Sequence, residues 1–329
     1  MAEEDTSLSG SIESFFSRCG LDQQAWLDCH DFLERHFPGK TTAPAHTQGY
    51  CSYTLLVDNQ VIQFRPPQYK LDINITTAAK DVYENYAPTT AYFGTLNPHG
   101  LLVYTMEKME GISYKDFTNI EHPDKSKVRQ TLCANFALFL AKAWRHQEKV
   151  KLPAGIIGSS IETRLEKLAT ELPLRFRPAA SYTISQLDLI NILPKTLAHG
   201  DIVASNILLD PATGNLIGLV DWTEAEILPF GICLYGLEEI LGRMIDDTFV
   251  YYADAEQARD VFWTKLQQEI SELANERTLQ ALKLARIVGI LLWYGYAFDD
   301  GAIDRVVQEG RDCQEIGYLD AFLLKEPLW

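Results

Sequence analysis

The 329-residue sequence predicts an α+β fold, with a small antiparallel sheet in its N-terminal part and a larger, mainly helical C-terminal part. Three observations carry the assignment. Short apolar runs punctuated by turn residues lie between residues 50 and 106, apolar stripes at helical spacing run from 126 to 296, and one strand–turn–strand unit at 197–221 interrupts the helices. A period of two marks strands and a period near 3.6 marks helices. With 47% hydrophobic residues the chain can bury one large core or two moderate lobes.

Residues 1–9 are small and polar and read as a frayed terminus. Ser11 to Phe37 reads as one or two helices, with Trp26, Cys29, Phe32 and Leu33 near helical spacing, Gly20 as an interruption and Asp22 as an N-cap. Tyr50 to Phe64 reads as a hairpin turning at Asp58-Asn59, and alternation puts Val61, Gln63 and Arg65 on one face. Leu101 to Met106 is a third strand. From Ser126 to Lys151 the stripe Leu132, Phe136, Phe139, Leu140, Ala143 and Trp144 predicts a long core helix. Further helices are expected at Ser159–Leu172, Thr183–Leu193, Cys233–Ile245, Ala255–Ala274 and Arg277–Tyr296, with an Asp-Asp-Gly turn at 299–301.

The unit LAHGDIVASNILLDPATGNLIGLVD is the chemically distinctive part. Apolar runs at 207–209 and 216–220 flank Pro211-Ala212-Thr213-Gly214-Asn215, the punctuation of a tight hairpin. A hairpin brings its ends together, so Asn206 at the entry and Asp221 at the exit can meet one metal ion, while Asp201 stands in the preceding loop. Phosphoryl transfer needs a carboxylate beside the attacking hydroxyl and oxygen ligands for Mg²⁺, which takes one or two protein carboxylates with phosphate and water. Singly, these residues are explained as a turn cap, an Asx turn and a strand end. Together, at this spacing, they point to phosphoryl chemistry.

His-Gly-Asp, four residues, Asn, then Asp-Trp after a hairpin resembles the aminoglycoside phosphotransferase and choline kinase branch of the protein-kinase-like fold. The segment QFRPP…LD at 63–72 also resembles fungal phosphotransferase-like proteins. The resemblance implies a bilobal architecture, with N-terminal helices and a nucleotide-binding lobe at 1–110 and a helical lobe at 111–329. It implies ATP and Mg²⁺ as cofactors, Asp201 as catalytic base, Asn206 and Asp221 as metal ligands, and His199 as a structural brace. Gly49 would lie in the loop covering the phosphates, and Glu107, Lys108 and Met109 in the adenine-binding hinge. Acceptor-lining positions would include Glu224, Glu226, Trp293, Tyr294 and Asp299, where aromatic rings and carboxylates suit an amine-bearing alcohol. The segment after Asp221-Trp222 is too short for an activation loop, which argues against a protein substrate.

The sequence departs from this pattern where a lysine is expected to hold the α- and β-phosphates. Gln63 carries no charge. Arg65 is either the phosphate cation or a surface residue. Its expected glutamate partner is not singled out among Asp72, Asp81 and Glu84. Two other readings therefore stand: the fold repurposed for a non-phosphoryl reaction in a biosynthetic pathway, or a non-catalytic pseudokinase that binds a partner.

Composition narrows the partners. A formal charge of −16, from 29 basic and 45 acidic side chains, disfavours nucleic acid and anionic membranes. It attracts cationic substrates, or it serves solubility alone. Six cysteines scattered without metal-ligand spacing suggest a reduced, cytoplasmic protein without zinc. No signal peptide or membrane-spanning stretch is expected. The composition leaves the oligomeric state open.

Overall fold

A computed structural model describes residues 8–46, 48–147, 152–299 and 302–325. The expectations for residues 1–7, for the end of the long helix at 148–151 and for the turn at 300–301 lie outside the described residues. The chain divides into two compact units, Met1–Thr77 with Pro88–Met109, and Ala78–Ala87 with Glu110–Trp329.

The first unit opens with α1 (Leu8–Arg18) and α2 (Gln23–His36). Gly20 takes φ +66° between them, and the Asp22 carboxylate accepts the Ala25 amide at 3.0 Å, so the break and the N-cap fall as the sequence predicts. Strands β1 (Thr42–Pro44), β2 (Tyr53–Val57) and β3 (Gln60–Arg65) follow, then α3 (Ile73–Tyr83), which continues into the second unit, and β4 (Thr90–Leu96) and β5 (Leu101–Glu107). The five strands form one antiparallel sheet in the order β1-β2-β3-β5-β4. Alternation in β2 and β3 turns Tyr53, Leu55, Val57, Ile62 and Phe64 toward Phe15, Phe16, Cys29, Phe32 and Leu33 of the helices. Strands β1 and β4 were not expected. The first has three residues and ends in proline, and the second has a register shift between Tyr92 and Gly94 that breaks its alternation.

The second unit contains β6 (Ile112–Ser113), α4 (Tyr114–Asn119), α5 (Lys125–Arg145), α6 (Ile161–Glu171) and α7 (Arg177–Ser185). Then come β7 (Lys195–Ala198), β8 (Ile207–Leu209), β9 (Leu216–Leu219), β10 (Glu226–Pro229), α8 (Gly236–Leu241), β11 (Gly242–Ile245) and β12 (Thr248–Tyr251). The chain finishes with α9 (Ala255–Glu269), α10 (Glu276–Tyr294), β13 (Tyr296–Asp299), β14 (Ala302–Val306) and α11 (Cys313–Leu319). Every member of the predicted α5 stripe is buried.

Three helical expectations are corrected. The 183–193 stretch is the end of α7 followed by a 3₁₀ turn at Leu187–Ile192. The 233–245 stretch is a 3₁₀ turn, the six-residue α8 and then β11, which pairs with β12 across a turn where Asp246 takes φ +50°. Helix α10 stops at Tyr294, and Phe298 and Asp299 belong to the β13–β14 hairpin. No helix among the described residues is long and apolar enough to cross a membrane, and the buried Cys29, Cys133 and Cys233 carry free thiols.

Candidate active site

The predicted hairpin is present. β8 and β9 pair antiparallel from Ile207↔Leu219, with β6 added on the outer edge of β8. The Asp210 carboxylate ties the turn by accepting the Ala212 amide and the Thr213 hydroxyl. At the open end, the Val220 amide donates to the Asn206 carbonyl at 3.0 Å, so the strands deliver Asn206 and Asp221 side by side in the chain pairing.

The loop before the hairpin is locked from several sides. His199 is buried, its Nε2 is 3.0 Å from the Val220 carbonyl, and its Nδ1 is 3.2 Å from the Asp201 amide. A carbonyl only accepts and an amide N–H only donates, so Nε2 carries the proton and Nδ1 accepts: the ring is the neutral Nε2–H tautomer. Burial agrees, lowering the His199 pKa to about 4. One imidazole thus couples the residue before Asp221 to the backbone of Asp201. Gly200 takes φ +81°, and a Cβ there would lie 2.1 Å from the Glu224 carbonyl, so the loop after Asp221 packs directly on this glycine. That approach follows from β10 pairing with β7, which sets Glu226 opposite Ala198.

The Asn206 amide nitrogen donates to both the carbonyl and Oδ2 of Asp201, at 3.1 and 2.9 Å. This orientation leaves the Asn206 Oδ1 as the acceptor of that side chain. Asp221 takes φ +63°, a left-handed conformation uncommon outside glycine, and its Oδ1 accepts the Thr223 hydroxyl at 2.7 Å. The Asp201 pKa is raised to about 7, first by burial and then by the negative charges of Asp221, Glu224 and Glu239, with the Asn206 bond opposing. All three of these neighbouring charges are negative. A cluster of like negative charges attracts a cation.

The donor chemistry fits Mg²⁺. An amide oxygen and a carboxylate, Asn206 and Asp221, are the oxygen ligands that ion takes when phosphate and water complete its shell. Among the described residues no group of three His, Cys, Asp or Glu side chains is arranged to hold a metal by itself. A two-ligand site shared with a substrate phosphate is the arrangement the residues allow.

The remaining predicted positions separate. In the first unit, Gln63 and Arg65 do share a face, since Arg65 Nη1 donates to Gln63 Oε1 at 2.8 Å. Arg65 is not a surface residue: it is buried, and its Nε donates to the Tyr69 carbonyl at 2.7 Å, bracing the Pro66-Pro67 turn. Its hydrogen-bond partners are neutral, and it forms no carboxylate pair among the described residues. None of the three candidate acids pairs with it. Asp72 accepts the Asn74 amide at the start of α3, Glu84 pairs with Lys142 at 2.6 Å, and Asp81 is exposed. Gly49 lies in the loop before β2 with only Ser52 Oγ near its missing Cβ. Glu107 ends β5 and accepts from the Thr89 amide and hydroxyl. The Lys108 amide donates to Asn59, and Met109 is half-buried.

In the second unit, Glu224 is exposed and acts on Asp201 as a charge. Trp293 is half-buried and stacks parallel on Tyr235, with centroids 5.2 Å apart, and the Tyr235 hydroxyl accepts the Ile202 amide. Three expected lining residues serve the fold instead. Glu226 accepts the Ile157 and Gly158 amides at 3.0 and 2.8 Å, holding the 155–160 turn. Tyr294 is buried with its hydroxyl on Glu239 at 2.7 Å. Asp299 is neutralised by Arg305 at 2.5 Å. Tyr235 and Glu239 were missed, although two adjacent acids inside the apolar run LYGLEEIL were a visible signal.

A model of the phosphotransferase enzyme family matches residues 78–260, more than half of the chain. Among curated proteins, the uncharacterised YcbJ of Bacillus subtilis (strain 168) is 33% identical over 90 residues, 27% of this chain and 28% of that protein. The match therefore spans less than a third of that relative's length. Among solved structures, Plasmodium vivax ethanolamine kinase aligns over 98% of this chain and 95% of its own at TM-score 0.56 and 12% identity. The GDP complex of aminoglycoside 2'-phosphotransferase-IIIa aligns over 80% and 90% at TM-score 0.54 and 16% identity. Choline kinase from Cryptosporidium parvum Iowa II aligns over 82% and 87% at TM-score 0.50 and 12% identity. Identities this low speak for a shared fold, the protein-kinase-like α+β fold expected from the sequence. With the family match across the 199–206 loop and the hairpin, the chain belongs to the phosphotransferase enzyme family.

Proposed function

We propose that the chain transfers a phosphoryl group from ATP to a hydroxyl of a small, amine-bearing molecule. Asp201 accepts the hydroxyl proton, and Asn206 Oδ1 and the Asp221 carboxylate hold Mg²⁺. When bound, the ion supplies neutralisation of charge on the phosphates. The chain's own contribution is positioning: His199 and Asn206 fix Asp201, and the Val220–Asn206 pairing fixes the two ligands relative to each other. The observation that carries the reading is this single hydrogen-bonded lattice from His199 through Asp201 and Asn206 to Val220.

Glu224 and the face of Trp293 are the acceptor-side candidates that remain, and the negative surroundings of Asp201 suit an ammonium-bearing alcohol. We assign Arg65 to the nucleotide phosphates, because a buried guanidinium with only neutral partners among the described residues is costly unless an anion joins it. The free buried thiols of Cys29, Cys133 and Cys233 suit a reducing compartment such as the cytoplasm.

Calorimetric titration of ATP with Mg²⁺ tests the reading, beside Asp221→Asn, a substitution whose side chain tolerates φ +63°. Metal-dependent binding is expected in the wild type and lost or strongly weakened in the variant. Asp201→Asn is expected to bind ATP normally and to lower turnover by at least 100-fold. Absence of any heat at millimolar ATP in the wild type would sink the proposal.

A further inference from the structure

Asp201 lies in an irregular loop, so its carboxylate is aimed only as well as its backbone is held. Two peptide planes flank the residue, and their rotations set its φ and ψ. The plane before it is tied by the Asp201 amide, which donates to His199 Nδ1 at 3.2 Å. The plane after it is tied at both edges. Its carbonyl, that of Asp201, accepts the Asn206 side-chain amide at 3.1 Å, and its N–H, that of Ile202, donates to the Tyr235 hydroxyl at 3.2 Å. His199 and Asn206 belong to the loop itself. Tyr235 reaches in from elsewhere in the second unit.

Tyr235 is buried at the end of the 3₁₀ turn Ile232–Tyr235, directly before α8, and that turn is seated on α10. Ala285, Gly289 and Trp293 recur every four residues along one face of the helix. A Cβ at Gly231 would meet the Ala285 Cβ at 3.2 Å, and one at Gly289 would collide with the Ile232 carbonyl, so turn and helix touch through small residues. Four residues on, Trp293 stacks on the Tyr235 ring with 9° between the planes, and Tyr294 meets the same ring edge-on at 6.0 Å. A Cβ at Gly236 would collide with Ile202 Cγ2, so the start of α8 also presses on the Ile202 side chain. A phenylalanine at 235 would fill the same space. What the hydroxyl adds is an acceptor for one buried amide, which is costly to leave unmet. We propose that Tyr235 is a positioning residue for phosphoryl transfer: its hydroxyl, held in place by the face of Trp293, fixes the Asp201–Ile202 peptide plane and thereby the direction of the Asp201 carboxylate. The inference rests on the role given to Asp201 above. Asn206 and Asp221 keep their own tie, from the Val220 amide to the Asn206 carbonyl, so turnover should suffer and MgATP binding should not. A hydroxyl that served stability alone would leave both kinetic constants unchanged.

Tyr235→Phe tests this, since it removes one oxygen and keeps both ring contacts. Its control is Tyr296→Phe, which removes another hydroxyl of the second unit, one that donates to the Arg164 carbonyl at 2.9 Å. Amide hydrogen exchange on the full chain, read by mass spectrometry, requires no substrate. Tyr235→Phe is expected to exchange at least tenfold faster at 201–203 while α5 and α10 keep wild-type protection, and Tyr296→Phe to stay within about threefold of wild type at 201–203. The inference is overturned by unchanged exchange at 201–203 in Tyr235→Phe, by a uniform rise across the second unit, or by an equal local rise in Tyr296→Phe. Should Tyr235→Phe fail to fold, Trp293→Leu carries the comparison, because it takes away the face that holds the ring; no local rise there also overturns the inference. MgATP hydrolysis supplies the second readout. Tyr235→Phe should lose at least tenfold in kcat with KM for MgATP within twofold, and an unchanged kcat would overturn the positioning role. A wild type that shows no MgATP turnover counts against the phosphotransferase reading alone, because the exchange comparison decides independently whether the hydroxyl holds the loop.

Discussion

At the scale of single residues, one glycine and one histidine hold the loop that carries Asp201. Gly200→Ala would place a methyl group 2.1 Å from a backbone carbonyl while holding φ at +81°. Left-handed strain alone costs about 1–3 kcal/mol, and the clash with backbone has no flexible partner to relieve it. We expect a loss of about 3 kcal/mol or more, measured as a lower urea midpoint, with activity falling further as the 222–226 loop is pushed off Asp201. A variant within 0.5 kcal/mol of wild type, roughly the range of a neutral surface change, would contradict the packing described here. His-Gly-Asp and the two hairpin ends were legible in the sequence because their spacing is local. Arg65 was legible as a cation on the Gln63 face but not as a buried one, since its burial depends on the Tyr69 carbonyl reached around the Pro66-Pro67 turn. Glu226 and Asp299 looked free for the same reason: their partners, the 155–160 amides and Arg305, are set by tertiary packing and by a late hairpin.

At the scale of elements, the helices with long apolar stripes were legible, and the short pieces were not. β10, β11–β12 and β13–β14 are each four or five residues long, too short for a period to declare itself. α8 is equally short, yet its adjacent acids give it a testable signature. Burial raises the Glu239 pKa from 4.5 to about 7, with the Tyr294 and Ala204 bonds opposing and the Glu238 charge adding to the rise. An acid with a raised folded pKa keeps its proton in the native state where the unfolded chain has lost it. Between pH 4.5 and 7 the native state therefore binds more protons, and stability falls as pH rises. At 1.36 kcal/mol per unit, the wild type should lose about 3 kcal/mol relative to Glu239→Gln across that window. His199 slopes the other way, because its pKa falls from 6.5 to about 4 and its stabilisation is lost as pH drops. It is present in both proteins and cancels in the comparison. Parallel stability profiles for wild type and Glu239→Gln, from urea melts at pH 4.5 to 7, would show that Glu239 is not buried as described.

At the scale of the whole molecule, a net charge of −16 makes two effects of salt compete for the same explanation. Self-repulsion among 45 acidic and 29 basic side chains destabilises the compact state, and any electrolyte relieves it by screening, with a Debye length near 10 Å at 0.1 M. The site proposed at Asn206 and Asp221 would add stabilisation specific to Mg²⁺, about 1.4 kcal/mol at ten times its dissociation constant. The two are separable by matching ionic strength. NaCl should raise the melting temperature of wild type and Asp221→Asn alike, since removing one charge in forty-five barely alters the field. MgCl₂ at the same ionic strength should raise the wild type further, in the transition of the second unit, which holds the whole hairpin. In Asp221→Asn that excess should shrink to near zero, because one of the two proposed ligands has lost its charge. An excess that survives the substitution would mean that Mg²⁺ is condensing on the acidic surface at large, and the carboxylates around Asp201 would then be part of that surface rather than a built site.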